Sequence, residues 1–250
     1  MDVIKVELVS AIQLIIKLHI ENENGIQLHG GQQGWSGLTW KITDLYHGTI
    51  PHFILEHECL PVPNGHPGIV KVSLKYSLHR NVFQIEYKAT TTKSTPINMT
   101  NHSYFNLSGV PKLIDHELQI NADQVLELNP DLLPTVSFIE VNKTDFDRNK
   151  IRSINNSRYD DCFVLRQKDT VKAILRAKTT KIQMDVLTDQ PGIVVFKPEI
   201  INGICLETQK FSNGPNIPHF PNTILHPNER YYQKTQYFSQ SSRETFGKNR

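Results

Sequence analysis

Residues 68–78 read GIVKVSLKYSL, and a few positions later residues 82–90 read VFQIEYKAT. Val70, Val72, Leu74 and Tyr76 alternate with Lys71, Ser73, Lys75 and Ser77. A period of two puts one set of side chains on one face of an extended chain and the other set on the opposite face, as in a half-buried strand. The same alternation, with β-branched and aromatic residues, recurs in VIKVELV (3–9), HELQI (116–120), DDCFVLR (160–166), AILRAKT (173–179), KIQMDVLTD (181–189) and IVVFKP (193–198). Turn-forming clusters separate these runs: PVPNGHP (61–67), NPDLLP (129–134), RSINNSRYD (152–160) and SNGPNIPHFPN (212–222). Few windows sustain a helical period over ten residues, so helices are expected to be short and peripheral. Many short strands without alternating helices predict an all-β fold, a large antiparallel β-sandwich. The absence of a repeat or a clear linker predicts a single domain over residues 1–250, with a polar C-terminal tail from about 240 to 250 that frays.

Charge and composition narrow the function. Lys and Arg total 27 against 25 Asp and Glu, a formal net charge of +2 with no basic block, which argues against a nucleic-acid or membrane-surface partner and for a neutral small molecule. Cys59, Cys162 and Cys205 are odd in number and far apart, which fits neither a disulfide framework nor a zinc site and predicts reduced, buried thiols. The apolar piece AIQLIIKLHI (11–20) is interrupted by Gln13, Lys17 and His19. It falls short of the ~18 to 20 apolar residues of a spanning helix and carries no cleavage site. A soluble cytoplasmic protein is expected.

Three stretches carry chemistry. In GIQLHGGQQGW (25–35), paired glycines after His29 permit a tight turn, and a histidine beside Trp35 suits a sugar pocket; the plainer reading is a Gly-rich hairpin with a surface histidine. In NMTNHSYFNLSG (98–109), three asparagines surround His102 just after a strand. Buried amides need partners, so they are expected to fix a loop and the imidazole within it, either as an Asn-rich turn around a core histidine or as the mount of a general acid with a pKa near about 6.5. Tyr104 and Phe105 are expected to pack behind that loop. In GICLETQKF (203–211), Glu207 follows an apolar run that can push its pKa toward the range of a general base, although many strands end in a solvated glutamate.

Together LHGGQQGW, NMTNHSYFNLSG, RYDDCFVL, TDQPGIVVF and GICLETQKF resemble, in order, the signature segments of the aldose 1-epimerases, also called galactose mutarotases. The resemblance extends to HPG (66–68), DLLPT (131–135) and ERYYQKTQYFS (229–239). It implies a large antiparallel β-sandwich, N-terminally shortened relative to the usual family pattern, and a reaction that interconverts the α and β anomers of a hexose. It also implies catalytic roles for His102 as general acid and Glu207 as general base, and substrate-binding roles for His29 near the ring oxygen and Asp160 at a hydroxyl. No metal or redox cofactor is implied, since one acid and one base suffice. The partner is a small-molecule hexose, with neither nucleic acid nor membrane, and the protein a monomer or homodimer. Either Asp160 or Asp161 can face the pocket, because alternation along a strand admits only one. Two alternatives accompany this reading: a catalytically silent carbohydrate-binding protein of the same fold, and a phosphosugar mutarotase that would draw on Arg158, Arg166 or Lys197.

Overall fold

The computed structural model describes residues 29–30, 34–61, 67–110, 113, 115–154 and 158–241. The run at 3–9 and the tail beyond Ser241 lie outside the described residues. The described residues are mainly β-strand, and the paired strands run antiparallel. The first half of the chain runs through β1 (Lys41–Tyr46), β2 (His52–Cys59), β3 (Val70–His79), β4 (Val82–Thr91), β5 (Thr95–Pro96), β6 (Tyr104–Phe105), β7 (His116–Ile120) and β8 (Ala122–Leu128). The second half continues with β9 (Pro134–Glu140), β10 (Arg152–Ser153), β11 (Tyr159–Leu165), β12 (Ala173–Ala177), β13 (Ile182–Thr188), β14 (Gly192–Lys197), β15 (Ile204–Gln209), β16 (Ile224–Leu225) and β17 (Tyr231–Ser241). The helical pieces among the described residues are two single 3₁₀ turns, Trp35–Gly37 and Gly214–Asn216.

A nine-stranded sheet has the order β1-β2-β3-β4-β17-β13-β12-β7-β10, and a six-stranded sheet the order β6-β15-β14-β11-β8-β9. One apolar core joins them. From the large sheet come Val70, Val72, Leu74, Ile85, Tyr87, Leu118 and Leu175, all nearly inaccessible, and from the small sheet Phe163, Ile193, Val195, Ile204 and Leu206. This is the face-to-face packing of a β-sandwich, and the alternation read in 68–78 is the burial pattern of β3. Four buried polar groups from β17 also face the small sheet. Tyr231 donates to Gln233 Oε1, Gln233 Nε2 donates to the Thr208 carbonyl at 2.8 Å, the Thr235 and Thr208 hydroxyls lie 2.6 Å apart, and the Tyr237 hydroxyl reaches the Leu206 carbonyl at 3.4 Å. β15 is thereby held from the core side by hydrogen bonds as well as by packing.

Trp35 is buried in the core and meets Trp40 edge-on at 6.5 Å, because a flat apolar ring is stabilised more by the core than by solvent. One expectation is corrected. Cys59, on the second strand from the sheet edge, is half-buried, whereas Cys162 and Cys205 are buried; none of the three is in a disulfide.

Candidate active site

The small sheet aligns the candidate residues. In its register Tyr104 opposes Cys205, Cys205 opposes Phe196, and Phe196 opposes Asp160. Directly opposed residues project to the same side of a sheet, and successive residues alternate. Cys205, Glu207, Phe196, Val194, Asp160 and Tyr104 therefore share the face turned away from the core. Asp161, opposite Val195, shares the core-side face, where burial raises its carboxyl above the usual range. The two adjacent carboxylates are thus separated by the pleat, with Asp160 on the face of Glu207.

His102 reaches this face from the loop preceding β6. Its Nε2 lies 3.2 Å from Glu207 Oε1, and its Nδ1 lies 3.2 Å from Cys205 Sγ. Glu207 is 0 % exposed and the His102 side chain 10 %. The imidazole rests 5.1 Å from the Tyr104 ring and edge-on to Phe196 at 5.7 Å. Tyr104 does not pack behind the loop: its ring is on the site face and 38 % exposed, while Phe105 turns to the core against Tyr237 at 5.0 Å. Burial, then the nearby Cys205 and Glu207, raise the Tyr104 phenol above its ordinary value, so it stays protonated and able to donate.

The asparagines of residues 98–109 do what a loop of buried amides must. Asn98 exchanges two hydrogen bonds with the backbone of Lys210, giving Nδ2 to its carbonyl at 2.8 Å and taking its N–H at 3.0 Å. Asn101 Oδ1 accepts the N–H of Ser103, closing a turn around His102. Asn106 donates to the carbonyls of Asn202 and Val110, each at 3.0 Å, and accepts from the N–H of Ser108. Asn98 and Asn106 thus tie the loop to the two ends of β15, the strand that carries Glu207. At about 1 kcal/mol for each net hydrogen bond, the ties fix position more than they add bulk stability. The close approach also needs Gly203: a Cβ there would lie 2.7 Å from Tyr104 Cβ. Gly203→Ala is expected to push β6 off β15 and cost ~1 to 3 kcal/mol of stability, read as a lowered urea midpoint. An unchanged midpoint would show that the two strands can separate freely.

His116 anchors the far end of the loop. It is fully buried and its Nε2 accepts the Leu107 N–H at 2.8 Å, with Nδ1 facing Asp115 Oδ1 at 3.4 Å. Burial lowers its pKa, outweighing the opposing pull of Asp115. The folded protein therefore binds this proton less readily than the unfolded chain. The resulting stability is fully present above the unfolded value of about 6.5 and is lost as pH falls below it. Between about pH 7.5 and 5.5, wild type is expected to lose urea resistance relative to His116→Gln, whose amide oxygen can still accept from Leu107. Parallel curves for the two proteins would contradict this assignment.

His29 stands apart from the register row. It occupies a turn before the 3₁₀ segment at Trp35, half-buried, with left-handed backbone (φ 55°) and Gly30 following at φ 83°. Among the described residues, His102, Cys205 and Glu207 form a group whose donor atoms lie within 4.8 Å of one another, a donor set a zinc-like ion could also use. Cys205 was not singled out from the sequence, although its i, i+2 relation to Glu207 within a strand already placed both on one face. Of the cations a phosphosugar would call on, Arg158 pairs with Glu199, and Arg166 is engaged by Asp123 and Asp169 at 2.7 Å each. No helix among the described residues is long and apolar enough to cross a membrane.

Comparison with known proteins accords with this architecture. The aldose 1-epimerase family model matches residues 16–238. A galactose mutarotase of Sus scrofa is 31% identical over 248 residues, covering 88% of this chain and 71% of that protein. An aldose 1-epimerase of Streptococcus thermophilus is 32% identical over 252 residues, covering 88% and 72%. Among solved structures, the GalM/aldose epimerase homologue from C. elegans superimposes with a TM-score of 0.81 at 23% identity, over 88% of this chain and 74% of that one. Galactose 1-epimerase from Lactobacillus acidophilus gives 0.78 at 24% identity, over 88% and 71%. At such identities the structural likeness speaks for the fold.

Proposed function

The chain belongs to the aldose 1-epimerase family, and from that premise we propose that it interconverts the α and β anomers of a free hexose, galactose or glucose, in the cytoplasm. The observation that carries this reading is the 3.2 Å approach of His102 Nε2 to the fully buried Glu207 carboxylate, on the sheet face that also bears Asp160. One group of each kind is what ring opening requires. Glu207 removes the proton from the C1 hydroxyl as His102 delivers one to the ring oxygen. The C1–O5 bond breaks, C1 becomes an aldehyde carbon, and no net proton is gained or lost. Rotation about C1–C2 presents the other face of the carbonyl, and reclosure runs the same transfers backward: Glu207 returns a proton to the C1 oxygen and His102 takes one from the C5 hydroxyl. Glu207 is held out of solvent beside the imidazole, where its carboxylate offers an acceptor to the C1 hydroxyl.

Asp160 is assigned to a sugar hydroxyl and His29 to the region of the ring oxygen. The Tyr104 phenol adds a donor on the same face. The engagement of Arg158 and Arg166 with carboxylates favours an uncharged sugar over a phosphorylated one. Magnetisation transfer between the two anomeric H1 resonances of galactose and of glucose tests the proposal. Exchange above the spontaneous rate with purified protein supports it. Binding-induced broadening without exchange would instead identify a silent sugar binder.

A further inference from the structure

Cys205 is 0 % exposed and lies two residues before Glu207 on β15, and its Sγ stands 3.2 Å from His102 Nδ1. The other imidazole nitrogen faces Glu207, and a carboxylate offers only acceptors, so the contact at Nε2 calls for a proton on that nitrogen. A neutral ring protonated at Nε2 has Nδ1 as an acceptor, and the group turned toward it is the Cys205 thiol. The carbonyl oxygen of His102, at 3.9 Å from the same sulfur, is the more distant acceptor. We propose that Cys205 is a positioning residue: its S–H donates to Nδ1 and so holds His102 as the Nε2–H tautomer, with the mobile proton on the side of Glu207. The tautomer describes the neutral resting ring and does not depend on the acid/base reading above, whereas the role of the Nε2 proton does: in the acid step the ring carries a proton on both nitrogens, Nδ1–H then donates to the Cys205 sulfur, and loss of the Nε2 proton leaves a neutral ring.

The arrangement follows from the strand. Alternation places Cys205 and Glu207 on one face, and the pairing of Cys205 with Tyr104 brings the loop of His102 over both. Among the described residues, titratable groups that face the imidazole include Glu207 at Nε2, Cys205 at Nδ1 and the Tyr104 phenol at the ring face. A weak donor at Nδ1 fixes the tautomer without adding charge, whereas a carboxylate there would favour the imidazolium.

Two-bond ¹H–¹⁵N spectra of the full chain, labelled in histidine and with His102 identified by its absence in His102→Asn, test this directly. The expected pattern has Nε2 protonated and Nδ1 accepting, and it shifts toward a tautomer mixture in Cys205→Ala. Cys205→Ser, which keeps a donor, should restore most of it. In anomer exchange, Cys205→Ala should lower kcat about tenfold with KM within about twofold, and serine should recover most of the rate. A protonated Nδ1 in wild type, or ring shifts unchanged in both Cys205 variants, would overturn the proposal whether or not mutarotation is detected. If the alanine variant does not fold, Cys205→Val, close to cysteine in size but without a donor, carries the test: its shifts must move toward the mixture while those of Cys205→Ser keep the wild-type pattern.

Discussion

His102→Asn is expected to reduce the catalysed rate of anomer exchange by about 10² to 10⁴-fold while leaving the fold in place. The imidazole is the group that can donate a proton at one point of the cycle and accept it at another near neutral pH; an amide can do neither. Asparagine is smaller than histidine, and the site side of the ring is partly open, so little packing is lost. The loop holds its position without the imidazole, through Asn98 to Lys210 and Asn106 to Asn202. A thermal midpoint close to wild type, together with the lost rate, is the expected pair of readings. A near-normal rate would remove His102 from the mechanism.

Glu207→Gln should cost as much, for a different reason. The amide keeps the volume and an acceptor oxygen facing His102 Nε2 but cannot remove a proton from C1–OH. Because a fully buried charge is exchanged for a neutral isostere, the urea midpoint is expected to stay level or rise. Lower stability with retained rate would mean that the carboxylate serves the fold and that another base acts. The two losses should not add: groups that operate as a pair fail together, so His102→Asn combined with Glu207→Gln should be little worse than either alone.

How much was legible in the sequence depended on burial. β3, β4, β12 and β13 alternate because one face is wetter, and they were readable as strands; β7 alternates in sequence although four of its five residues are buried. β15 is buried at every position, on the core side by the sandwich and on the other by the His102 loop, so it carries no alternation to read. β1 is exposed at every position at the sheet edge, and β9 lies at the edge of the small sheet and begins at Pro134; neither shows the periodic pattern. His102, Glu207 and Asp160 were individually marked by motif. Their meeting was not readable, because it depends on the pairing of β6, β15, β14 and β11 across about a hundred residues of chain. The same register separates Asp160 from Asp161, which alternation alone left undecided. Tyr104 was misplaced because aromatic character does not tell a core face from a site face.

The central claim is that His102 and Glu207, brought together at the face of the small sheet, open and reclose a hexose ring. Polarimetry of freshly dissolved α-D-galactose with catalytic amounts of wild type and of Glu207→Gln tests it most directly. The account predicts that wild type brings the rotation to its equilibrium value faster than the spontaneous reaction, and that the glutamine variant leaves the spontaneous rate. Equal curves with and without folded wild-type protein, or acceleration that survives in Glu207→Gln, would contradict it.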